Sequence, residues 1–122
     1  MPTATAVHHR WSDVPSERLT ASIARKFITA DRMTVARFEL TRGGVVPRHS
    51  HESEQLTCVM SGSLTFKFDG QQIVVRQGEV LQIPAWVEHE VEVTEDAVVI
   101  DVFSPVRQDW VDKTDDYFQK PR

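Results

Sequence analysis

The segment from Gly43 to Gly62, GGVVPRHSHESEQLTCVMSG, places His49 and His51 two residues apart between turn-forming residues. Side chains at i and i+2 of an extended strand leave the same face, so both imidazoles are expected to point into one space. Imidazole is the commonest protein ligand for first-row divalent metals, and two convergent rings make half of a metal site. Gln55 shares their parity.

Outward from this segment the chain alternates with period two and is broken at short intervals by turn residues. Ala36, Phe38 and Leu40 alternate with Arg37 and Glu39, and Gly43 and Gly44 end that strand. Gln55 to Met60 form a strand closing at Ser61 and Gly62. The next, SLTFKF, sets Leu64, Phe66 and Phe68 on one side and Thr65 and Lys67 on the other. Asp69 and Gly70 predict a type I′ hairpin with positive φ at both positions. Ile73 to Val75, Val80 to Ile83, Val87 to Val93 and Ala97 to Phe103 supply four more strands, separated at Gln77 and Gly78, at Pro84, and at Glu95 and Asp96. Regular short strands imply an all-β sandwich or barrel. Val14 to Ala24 fits either a short helix or an edge strand. Trp110, Val111, Tyr117 and Phe118 read as core filling from a C-terminal tail, and His8 and His9 as solvated.

At 122 residues the chain fits one domain, with a barrel core over about 33–104 and a tail over 105–122 packed on it. The net charge of -4 and the lack of a Lys/Arg cluster argue against nucleic acid or anionic membrane as partners. No apolar run approaches the roughly 20 residues of a membrane span, and no leader pattern opens the chain, so a cytoplasmic protein is expected. The single cysteine, Cys58, excludes an internal disulfide and reads as a buried small hydrophobe.

His89, on a later strand after Pro84, can join His49, His51 and Gln55 only if the sheet curves around a common interior. The set holds three imidazole nitrogens and one amide oxygen. With no carboxylate among the ligands, a bound divalent ion keeps more of its charge as a Lewis acid. Zinc, nickel, manganese, iron and cobalt all suit it.

These residues resemble the two motifs of the cupin superfamily. Gly43, His49, His51, Gln55 and Gly62 match the first in register, and Gly78, Pro84 and His89 match the second. The resemblance implies a cupin jelly-roll β-barrel with short N- and C-terminal extensions, a metal inside, and a homodimer. Gln55 stands where many cupins carry glutamate, Trp86 where the second motif usually has glycine, and Val93 where it often has asparagine. The last two bear on the shape of the pocket mouth.

A narrower resemblance runs roughly from Arg25 to Trp110, including RKFITADRMTVARFEL and DVFSPVRQDW. It is to the pectin-degradation cupins of the KdgF type, which also carry glutamine after HSH. That resemblance implies a metal-dependent enzyme converting 4,5-unsaturated uronate monosaccharides to the linear keto form, with Asp101, Phe103 and Arg107 as active-site residues beside the ligands. Gln108 replaces an acidic residue common in that tail.

The residues themselves allow this reading. Asp101 is a lone carboxylate in AVVIDVF, and a buried carboxylate is costly unless paired or used, for instance as a general acid/base. Arg107 suits a substrate carboxylate, which it can grip bidentately, and Phe103 would form a flat wall. The alternative is an internal Asp101 to Arg107 salt bridge pinning the tail. Two other functions fit the same barrel: a small dioxygenase using ferrous iron, and a non-catalytic metabolite-binding module. A DNA-binding regulator is disfavoured, because no segment outside the barrel is long enough for a helix-turn-helix.

Overall fold

Residues 4–119 are described by the computed structural model. Eight strands follow in order: β1 Glu17–Thr20, β2 Ile23–Thr29, β3 Thr34–Leu40, β4 Val45–His49, β5 Glu54–Phe68, β6 Gln71–Arg76, β7 Val80–Ile83 and β8 His89–Ser104. The principal path through the sheet is β1-β2-β3-β8-β5-β6, while β4 adds to β8 and β7 adds to β5. All pairings are antiparallel. This is the expected jelly-roll barrel. Among the described residues, no helix is long and apolar enough to cross a membrane.

β5 and β8 are longer than the sequence pattern suggests. Gln55 to Met60 and SLTFKF belong to the single strand β5, and the two strands expected around Glu95 and Asp96 are the single strand β8. The breaks are bulges, with register shifts between Val59 and Leu64. They change the inward parity of β5 from Gln55, Thr57 and Val59 to Leu64 and Phe66. A bulge adds one residue to one strand without ending it, so turn-forming residues there mislead a local reading. Gly62 sits in this crossing at φ 81°, and a Cβ on it would lie 2.1 Å from the Asp96 carbonyl oxygen. Only glycine fits.

Val14 to Ala24 contributes the edge strand β1 and the start of β2. The hairpin between β5 and β6 has the expected two-residue loop, with Phe68 opposite Gln71, but only Gly70 has positive φ, so the turn is not type I′. Cys58 is half-buried, on the outward parity of β5 between Leu56 and Met60. His8 and His9 are exposed.

Phe38, Leu40, Val59, Leu64, Phe66, Val91, Val93 and Val99 fill the interior apolar core. Burying each such side chain stabilises the fold by about 1.5–3 kcal/mol, and several of them line one cavity together with the polar cluster. Val93, 1% exposed, is core and not pocket mouth. After β8 the chain turns through a cis Ser104–Pro105 bond into the one-turn helix α1, Gln108–Val111. Trp110 of α1 is buried against Phe27, Phe38 and Phe103, as core filling requires, while Val111 is exposed.

Candidate metal centre

His49 ends β4, His89 opens β8 opposite it, Gln55 lies in β5, and His51 sits in the loop between β4 and β5. His51 is therefore not on a strand with His49, as the i, i+2 reading had it. Its ring is turned inward instead by a bond between Nδ1 and the Ser53 carbonyl oxygen at 2.8 Å. His49 and His89 are held alike, through Nδ1 to the carbonyls of Pro47 at 2.8 Å and Val87 at 2.9 Å. Each Nδ1 donates to a carbonyl, which leaves Nε2 as a lone-pair donor. This is the outer support that metal-binding histidines use. One ligand atom from each of the three rings lies within 4.8 Å of the others.

The donor set fits a cation by a second observation. His51 Nε2 and Gln55 Oε1 are 3.1 Å apart, and the Gln55 amide is oriented by donation from Nε2 to Thr57 Oγ1 at 2.8 Å. With His51 Nδ1 as the donor to Ser53, two acceptors face each other across that gap. The spacing is close to that of neighbouring ligands each about 2.1 Å from a shared ion. Burial is the main cause that lowers all three histidine pKa values. His49 falls to about 2, aided by His89, and His51 to about 4, aided by Arg107; His89 is lowered as well. Near neutral pH the rings are uncharged and ready to bind a metal.

Asp101 lies in β8 opposite Thr57 of β5 and Ala36 of β3, and faces the same interior. Burial raises its pKa to about 6, with Thr57, Arg107 and Gln55 holding the rise back. Its Oδ1 is buried without a hydrogen-bond partner. Such an orphan is expensive in a core and common in a functional pocket.

The Asp101 to Arg107 salt bridge does not form. Arg107 is buried and donates from Nε and Nη2 to the two carboxylate oxygens of Asp109, at 2.9 and 2.7 Å. Asp109 is two residues away on the same helical turn, so this pairing orders little extra chain. The guanidinium also lies 4.8 Å from the centroid of Phe103 and 4.3 Å from that of Trp110. Phe103 supports Arg107, meets His51 edge-on and lines the inner cavity. Burial works against the Arg107 charge, but Asp109 and Tyr117 overcome it and raise its pKa.

Tyr117 belongs to the site although its sequence reading was core filling. Its ring lies on that of His49, centroids 4.2 Å apart and 3° from parallel, and its hydroxyl lies near enough to Arg107 to help hold that charge. Nothing in the local pattern distinguishes a tyrosine that covers a core from one that covers a ligand. Together these residues enclose a cavity of about 50 Å³ lined by His49, Gln55, His89, Asp101, Arg107 and Tyr117, among others.

The cupin domain family matches residues 36–103. The pectin degradation protein KdgF of Dickeya dadantii (strain 3937) is 28% identical over 102 residues, covering 81% of this chain and 93% of that protein. The structure of KdgF from Halomonas sp. aligns with a TM-score of 0.74 at 25% identity, over 81% of this chain and 94% of that one. An RmlC-like cupin from Shewanella frigidimarina aligns at 0.79 and 20% identity, over 87% and 96%, a likeness of fold. With the two motifs, the barrel and the three-histidine cluster in agreement, the chain belongs to the cupin domain family and is similar to KdgF proteins.

Proposed function

We propose that the protein is a metal-dependent enzyme that converts 4,5-unsaturated uronate monosaccharides to their linear keto form. The observation that carries this reading is Asp101: a buried carboxyl with a raised pKa and an unpartnered oxygen, sharing one cavity with the imidazoles. A proton carrier beside a Lewis-acid site suits an isomerisation that moves one proton and no electrons. The likeness to KdgF proteins supports the substrate class.

His49, His51, His89 and Gln55 would hold the ion, which supplies Lewis acidity toward substrate oxygens. Arg107 orients the substrate carboxylate, kept rigid by Asp109 and by the rings of Phe103 and Trp110. Asp101 Oδ1 takes the proton of the anomeric hydroxyl as the C1–O5 bond opens to an aldehyde. It returns the proton to C4 as the enolate at C5 becomes a ketone. The substrate's own atoms balance, with one proton removed and one returned.

The test follows the ultraviolet absorbance of an unsaturated uronate monomer with purified protein, with and without chelator, beside Asp101→Asn. Chelator-sensitive loss of absorbance is expected in the parent and absent in the variant, whose metal content stays at the parent's level. Turnover by Asp101→Asn at the parent's rate would remove the proton-transfer role. Metal-loaded parent that leaves the absorbance unchanged would remove the activity.

A further inference from the structure

We propose that Trp86 is a stacking residue for the sugar ring at the barrel mouth, setting substrate affinity and preference; this rests on the uronate reading above. The backbone states the case first. Trp86 has φ 64°, in the left-handed region where a bulky residue is strained and glycine is not. It occupies the third position of a turn closed by Val87 N–H donating to the Pro84 carbonyl oxygen at 3.3 Å, a position at which glycine relieves such a turn. Strain of this kind persists where surrounding structure imposes it, and concentrates at ligand sites.

Core packing does not account for the indole, which is 66% exposed. The turn is tied to the metal centre on both sides. Trp86 N–H donates to the His51 carbonyl oxygen at 2.8 Å, and the neighbouring Val87 carbonyl holds His89 Nδ1. A large exposed aromatic is thus fixed, by backbone, to two of the candidate ligands.

Beside the indole runs a groove of about 250 Å³ lined by His51, Glu52, Ser53, Arg107, Gln108 and Asp109, among others. Arg107 also lines the inner cavity, so the groove leads toward the site's only described buried guanidinium besides that of Arg25. A second depression, about 370 Å³, opens beside His49 and Tyr117 but gathers Glu88, Asp109, Asp115 and Asp116 against Arg48. Against those four carboxylates the Trp86 groove carries two, Glu52 and Asp109, the latter paired with Arg107, so an anionic sugar is opposed less on the Trp86 side. The flat C–H face of a pyranose matches an indole, while the carboxylate reaches inward to Arg107.

The experiment compares the parent with Trp86→Gly and Trp86→Tyr, using unsaturated uronate for turnover and galacturonate, which lacks the double bond, as a binding probe. Trp86→Gly relieves the backbone and is expected to raise Tm, so loss of folding does not confuse the result. Its KM should rise about tenfold with kcat within about twofold, and Trp86→Tyr should recover most of the KM. Galacturonate should quench tryptophan fluorescence in the parent and not in Trp86→Gly. An unchanged KM in Trp86→Gly overturns the proposal even if the parent turns over uronate, and a changed solution mass with unchanged KM assigns the indole to a partner copy instead. Trp86-dependent quenching without turnover keeps the stacking role and removes the activity.

Discussion

The ring of Tyr117 lies flat on the imidazole of His49, 4.2 Å from centroid to centroid and 3° from parallel, so the C-terminal segment covers the histidine cluster. The segment is tied back to β2 by Asp115, whose carboxylate accepts from Arg25 Nη1 at 3.0 Å. The enclosed cavity of about 50 Å³ holds a few waters, whereas small-molecule pockets begin at roughly 300 Å³. A sugar ring therefore fits beside Asp101 only when residues lining this cavity move.

Removing the cover should speed exchange. Tyr117→Ala forfeits a stacked pair worth about 1 kcal/mol, and chelator extraction of bound metal should accelerate about fivefold. The rate is read from the absorbance of a coloured chelator. An extraction rate equal to the parent's would show that Tyr117 does not gate the site.

Changing Gln55→Glu should hold metal more tightly and lower turnover by tenfold or more. The added carboxylate neutralises part of the ion's charge and stands near Asp101, whose pKa it would push further up. Metal content by mass spectrometry and a pH–rate profile check both effects. A profile with its limbs unmoved would argue against contact between the two side chains.

The metal-free protein should lose stability as pH falls from about 6.5 toward 4.5. The three histidines have folded pKa values below the usual 6.5, so the unfolded chain binds their protons first and acid favours unfolding. Asp101 has the opposite sign: raised from 3.8 to about 6, it takes its proton in the folded state first and stabilises it as pH falls through that window. Three protons against one leave a net uptake of about two on unfolding, or at most about 3 kcal/mol per pH unit. Urea titrations of chelator-treated protein measure the slope. Asp101→Asn should steepen it, and a flat dependence would mean the histidines are not buried as neutral rings.

Gly62→Ala should destabilise the fold by more than about 3 kcal/mol. The new Cβ meets backbone, the Asp96 carbonyl and Ala97 Cα, at a residue that also has positive φ. Thermal melting reports the loss, and a Tm within a few degrees of the parent's would show that the β5–β8 crossing can yield.

Much of the fold was legible because alternation reports burial directly. In β3 the inward side chains are Thr34, Ala36, Phe38 and Leu40, as the period-two pattern requires. The same rule failed at Ser61 to Ser63 and at Glu95 to Asp96, where polar and glycine residues mark bulges inside long strands and not ends. Distinguishing the two requires knowing the partner strand. At the site, His49, His51, Gln55 and His89 were legible because ligand chemistry restricts residue type and spacing. Tyr117 and Asp109 were not, since their roles arise from contacts made by a tail with no pattern of its own.

By itself the sequence determined the all-β barrel, the candidate histidine cluster and the lone carboxylate in β8, because alternation and side-chain chemistry are local properties of the chain. Only the tertiary structure decided which carboxylate Arg107 pairs with, what covers His49, and that Trp86 stands exposed on a strained turn. Those depend on distances between segments far apart in sequence and on a backbone dihedral, and no residue pattern encodes either until the chain has closed on itself.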